Sequence, residues 1–146
     1  MEPRNSRPVL CPSAQPEMDG SMAFGVIDGT AEEPRVRWIE KPVPVTGDLL
    51  TLTGPVPATQ VLRIAAPCQE KACCHFDGTD CRLATRLVQL MPAVSASLPP
   101  CRIRADCRWF VQEGSAACYR CPQIVTYSVN PTEQLSLAAT PEGMSR

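Results

Sequence analysis

CRIRADCRWFVQEGSAACYRC, residues 101–121, places four cysteines and four arginines in twenty-one positions. Cys118 and Cys121 form a C-x2-C turn, whose sulfurs can point to one side while backbone N–H groups aim at them. Cys101 and Cys107 complete a set of four thiols, enough to close a tetrahedral site or to ligate a cluster. Pro122 follows Cys121 directly, removing an N–H donor and covering the sulfur with an apolar ring, as at the Cys-Pro end of ferredoxin-type cluster motifs.

Upstream lies a second group: Cys68, Cys73, Cys74 and Cys81, with His75 and Cys11 as substitutes. Adjacent side chains diverge in most backbone conformations, so Cys73 and Cys74 are not expected to bind one metal together. Cys68, Cys73 and Cys81 are taken as ligands, and Cys11, Cys74 and His75 stay open for the remaining place. Nine cysteines minus two sets of four leaves one spare, which this reading assigns to the adjacent pair.

Three chemistries compete for such a pattern. Disulfides need an oxidising compartment, and residues 1–18 lack an apolar run of signal-peptide length. Structural zinc modules present two short cysteine knuckles per site, and only one C-x2-C occurs here. The irregular spacings x5, x10 and x2 suit cluster-binding loops. Iron–sulfur clusters, of the 4Fe-4S type, are therefore expected, with zinc as the alternative. Thiolate-ligated centres carry net negative charge, which Arg82, Arg86, Arg102, Arg104, Arg108 and Arg120 can offset.

Sixteen prolines and eight glycines in 146 residues interrupt regular structure. With two Trp, two Tyr and three Phe, the core must come from Val, Leu, Ile and Ala. SMAFGVID and RVRWIE read as strands joined by a turn, VLRIAA as a strand entering Cys68, and QIVTYSV as a last strand. Residues 41–60 have room for one helical turn around Asp48 to Leu52. CRLATRLVQLM reads as a helix capped by Thr79 or Asp80, with Leu83, Leu87, Leu90 and Met91 on one face, ended by Pro92. A second short helix starts after Asp106, carries Trp109 and Phe110, and stops at Gly114.

The expected architecture is a small single-domain α+β protein, strand-rich in front and cysteine-rich and metal-binding behind, with two short helices there. Residues 1–20 read as an N-terminal arm, 21–130 as the domain and 131–146 as a tail. Residues 17–48 hold seven acids against three bases and residues 63–120 eight bases against five acids, an excess too small for a nucleic-acid face. No stretch is apolar enough for a membrane span, and a cytoplasmic protein is expected.

A C-x2-C can also serve thiol–disulfide exchange, but that chemistry wants its first cysteine at a helix N-terminus after a strand. Phosphate loops, nucleophile elbows and paired-carboxylate sites are missing, and an ordinary turn accounts for Asp77 and Asp80. AAPCQEKACCHFDGTDCRLATRLV and LPPCRIRADCRWFVQEGSAACYRCPQIVT together resemble a family of small, uncharacterised cysteine-rich bacterial proteins sometimes labelled nitrogen-fixation proteins. That resemblance runs from about Cys11 to Thr126 and implies a bacterial, intracellular setting without a mechanism. The residues themselves imply a non-enzymatic iron–sulfur protein in electron transfer or redox sensing with a redox partner protein; a zinc-stabilised interaction module is the alternative.

Overall fold

A computed structural model describes residues 8–30, 33–70, 73, 75–124, 126 and 133–139, with side chains from residue 136 in the last segment. Strand β2, Met22–Gly29, pairs antiparallel with β3, Pro34–Pro44, forming the hairpin that the alternating runs predict. Prolines 42 and 44 fit β3 because it is an edge strand, where missing N–H donors break no ladder. Strand β4, Leu62–Pro67, pairs with the other side of β2, and the two-residue β1, Leu10–Cys11, pairs with β4. The sheet order is β1-β4-β2-β3, antiparallel throughout.

The register slips between Ala23 and Gly25 and leaves Phe24 in a bulge, buried against the cysteine side of the sheet. Gly25 is required there: a Cβ on it would meet Val36 Cγ1 at 2.5 Å. Helices α1, Gly47–Leu52, and α2, Ala58–Val61, follow β3; α1 is the turn expected around Asp48, capped by the Thr46 hydroxyl.

Strand β4 is buried on both faces from Leu62 to Ala66, Arg63 included. Leu62, Ile64 and Ala66 pack with Ala14, Met18, Val45 and Leu49 on one side. Ala65 joins the larger core on the other, with Leu10, Phe24, Leu87, Trp109 and the cysteines Cys81, Cys107 and Cys121. The cysteine half is thus the second layer of one molecule, laid across a face of the sheet.

Helix α3, Arg82–Leu90, ends at Met91 before Pro92, but its N-cap is Cys81. Thr79 and Asp80 lie two residues and one residue too early to cap it, in a tight turn where their N–H groups donate to Asp77 Oδ1 at 2.9 and 2.8 Å. Leu87 and Met91 are buried as expected, whereas Leu90 is 39% exposed; Ala84 and Arg86 occupy the inner face instead. A 3-10 turn, Arg104–Asp106, leads into α4, Arg108–Glu113, which stops at Gly114 with φ +72°. Helix α5, Ser115–Cys118, follows, so the back half holds more short helices than the expected two.

Two other expectations fail. Cys121–Gln123 form a 3-10 turn where a strand was expected, Ile124 and Thr126 lie in no strand, and the rest of QIVTYSV falls outside the described residues. Helix α6, Glu133–Ala139, packs on α3 with Ala138 buried, where a loose tail was expected. The N-terminal segment is tied down too: Ala14 donates to the Ile64 carbonyl, and the Ser13 and Thr126 hydroxyls lie 2.7 Å apart.

Candidate metal centres

The pairing of β1 with β4 creates the first group. Cys11 lies opposite Ala66, and Cys68 N–H donates to the Val9 carbonyl, so Cys11 and Cys68 occupy same-face diagonal positions at one end of the pair. A loop brings back Cys73, whose sulfur lies 3.5 Å from the His75 N–H, and then Cys81, bridged to Phe76. Gln112 of α4 fixes Cys81 from both sides: its Oε1 accepts from Cys81 N–H at 2.8 Å and its Nε2 donates to the Cys81 carbonyl at 2.9 Å.

These four thiols lie within electrostatic reach of one another. Burial pushes Cys11 from 9.0 up to about 12; the Ser13 N–H opposes that, and Cys81, Cys68 and Cys73 add to it. Cys81 is likewise raised by burial, against the N–H groups of Ala84 and Leu83, with Cys73 and Cys68 adding to it. Among the described residues, Cys11 is thus the fourth thiol of this group. His75 turns Nδ1 to Arg86 Nη2 at 2.8 Å instead, and Cys74 lies outside the described residues.

Cys101, Cys107, Cys118 and Cys121 all line one partly open apolar pocket with a cavity volume of about 20 Å³, whose other walls include Trp109 and Ile103. Burial raises Cys107 from 9.0 to about 12, opposed by the Phe110 N–H and increased by Cys121; the Trp109 N–H also opposes it. Burial also raises Cys101, against the Ile103 N–H, and Cys118, against a hydrogen bond from Arg104. Cys121 acts on all three of its neighbours, and the thiols that act on Cys11 and Cys81 belong to their own group.

Backbone N–H groups at the second or third following residue face Cys11, Cys73, Cys81, Cys101 and Cys107. N–H groups so placed stabilise thiolate sulfur and tune a bound centre. Cys81 and Cys107 are N-cap residues of α3 and α4, each followed by arginine. Cys118 ends α5 rather than starting a helix, which removes the arrangement that thiol–disulfide exchange requires.

Among the described residues, no three Cys, His or acidic side chains converge tightly enough to clasp a single ion. The groups are wider neighbourhoods of thiols, and the charge effects between their sulfurs carry the grouping because they fall off slowly with distance. Among the described residues, three buried donors nearby find no acceptor: Arg104 Nε, Arg108 Nε and Trp109 Nε1. Unsatisfied buried donors are costly, and Trp109 and Arg104 line the pocket of the second group. Thiolate- and sulfide-rich groups would supply the acceptors, so the residues present fit such a group.

Of the six arginines singled out by sequence, two reach sulfur: Arg104 contacts Cys118, and Arg108 contacts Cys68 while pairing with Glu70 at 2.9 Å. Arg86 and Arg120 bond carbonyls of Ala138 and of Met91 and Ala116, and Arg102 is exposed. Sequence reasoning missed Gln112 and Arg63. Arg63 was visible as the one charge inside an apolar strand run, a position that demands a partner.

A bound metal requires thiolates, whereas burial holds Cys11 and Cys107 protonated far above neutrality, at about 12. Loading therefore expels protons, and each thiol ionised on binding makes affinity rise about tenfold per pH unit. Affinity is expected to climb steeply between about pH 6 and about pH 9, and loaded protein to lose metal as pH falls. Chelator competition across that range measures the slope; a flat profile contradicts thiolate ligation. No family model, curated protein or solved structure matches this chain, and what the two groups do is argued from their geometry.

Proposed function

We propose that the protein binds two iron–sulfur clusters of the 4Fe-4S type and serves in electron transfer or redox sensing. Cys11, Cys68, Cys73 and Cys81 hold one; Cys101, Cys107, Cys118 and Cys121 hold the other. The observation that supports this most is the pocket of the second group: four thiols around one apolar space, with an arginine and a tryptophan donor at its wall that find no acceptor among the described residues. Four thiols facing one space suit a cluster, in which each thiolate binds a different iron.

Full cysteine ligation leaves no open coordination place for a substrate, which favours electron transfer and sensing over catalysis. The segment Leu10–Cys11 touches both groups, since Leu10 also bridges Cys107. Electrons thus have a short path between the centres, and the function calls for a redox partner protein in a reducing compartment such as the bacterial cytoplasm. Among the described residues no helix is long and apolar enough to cross a membrane.

Metal and sulfide analysis of protein purified without oxygen tests the proposal. Brown protein with roughly eight irons and matching acid-labile sulfide per chain is expected for two such clusters. Colourless protein holding stoichiometric zinc and no iron would overturn it in favour of a zinc-stabilised module, and metal-free protein with paired thiols would overturn both readings.

A further inference from the structure

Arg63 lies in β4 on the face opposite Leu62 and Ile64, and its side chain is fully buried at 0% exposure. The guanidinium sits 5.4 Å from the Phe24 ring centre and 5.7 Å from that of Trp109. All of its hydrogen bonds end on backbone carbonyls. Nε and Nη2 donate to Pro12 O at 3.2 and 2.9 Å, and Nη1 donates to Cys121 O at 2.8 Å and Ile124 O at 3.3 Å. Among the described residues no carboxylate pairs with it.

A permanently charged group buried without a counter-ion is costly, because carbonyl dipoles and ring faces replace only part of its hydration. Methionine or leucine would fill similar space without that cost. The charge lies beside the pocket that Cys101, Cys107, Cys118 and Cys121 surround, and Trp109 lines that pocket while stacking on the guanidinium. Its bonds also reach the chain beside one ligand of each centre: Pro12 follows Cys11, and Cys121 is itself a ligand.

We infer that Arg63 is the internal counter-cation of the second centre, and a positioning residue that fixes the Cys121 turn to the strand carrying Cys11. The inference rests on the reading that this centre is an iron–sulfur cluster. Taking up one electron adds one negative charge to the cluster, so a buried cation nearby stabilises the reduced form more than the oxidised form and raises the midpoint potential. The carbonyl bonds set the distance at which that charge acts.

Arg63→Gln and Arg63→Lys in the full chain separate charge from hydrogen bonding. Both keep donors for the carbonyls, and only lysine keeps the charge. Each anaerobically loaded protein is titrated electrochemically with the reduced clusters followed by paramagnetic resonance. In Arg63→Gln the midpoint that disappears in Cys107→Ser is expected to move to more negative values, farther than the other midpoint, with Arg63→Lys restoring most of the shift. Iron-loaded Arg63→Gln with both midpoints unchanged, or both moved equally, would overturn the inference and leave the cluster reading intact. If both variants fold metal-free but hold about half the iron, the positioning role stands; if neither folds, Arg63 is a packing residue and the inference fails. Wild-type protein without iron overturns the cluster reading itself, and shows this before any variant is made.

Discussion

Cys107→Ser is expected to empty the second centre and leave the first, halving the iron bound per chain. Cys101, Cys107, Cys118 and Cys121 surround one cavity, so removing any one thiolate opens the site and lowers affinity for the whole group rather than for a quarter of it. Serine variants at the other three positions should therefore lose the same half. Cys11→Ser should lose the complementary half, because Cys11 shares the field of Cys68, Cys73 and Cys81, whereas His75→Ala should retain full iron, since its ring is turned to Arg86. Iron and sulfide counts on the purified variants decide this. Full retention in Cys101→Ser beside loss in Cys118→Ser would break the second group; iron loss in His75→Ala with retention in Cys11→Ser would break the first.

Removing the metal altogether is expected to lower the thermal midpoint by at least about 10–20 °C. Binding energy at a site that the unfolded chain cannot form is folding energy, and a loss of about 5 kcal/mol shifts a domain of this size by that amount. The reason lies in the core. Cys81, Cys107 and Cys121 are core residues beside Trp109, with few aromatics elsewhere to compensate. Trp109, 2% exposed, reports the change directly: its near-ultraviolet circular dichroism should weaken on chelation while the hairpin of β2 and β3 keeps its far-ultraviolet signal. Metal-free protein melting at the same temperature as loaded protein would show that the centres carry no structural energy.

What could be read from the sequence was local. The hairpin, the strand into Cys68, the stop of α3 at Pro92 and the Gly114 end of α4 follow from patterns within ten or so residues. The grouping of Cys101, Cys107, Cys118 and Cys121 was likewise local, because twenty-one residues of turns and short helices cannot spread far. Cys11 was left open against His75 and Cys74 because its place depends on β1 pairing with β4, a contact 57 residues away along the chain. The start of the last strand was misread because Val and Ile run through QIVTYSV, yet Arg63 takes the carbonyls of Cys121 and Ile124, and Cys121–Gln123 form a 3-10 turn with Pro122 inside it. Asp80 has a cap's side chain, but the helix starts one residue later, at a cap made by Cys81.

The two-residue strand Leu10–Cys11 also sets a timetable for synthesis. Cys11 is made early, but its partners Cys68, Cys73 and Cys81 follow 57 to 70 residues later, and the bridge from Leu10 to Cys107 needs still more chain. At about 5–20 residues per second the ribosome takes several seconds to deliver the first centre's remaining thiols. The second centre's four cysteines emerge together and can meet without waiting for any distant segment. The first centre has all its cysteines by residue 81, twenty residues before the second group begins, so it is the one able to close first, and its N-terminal thiol stays open to oxidants or carrier proteins until the sheet edge is completed.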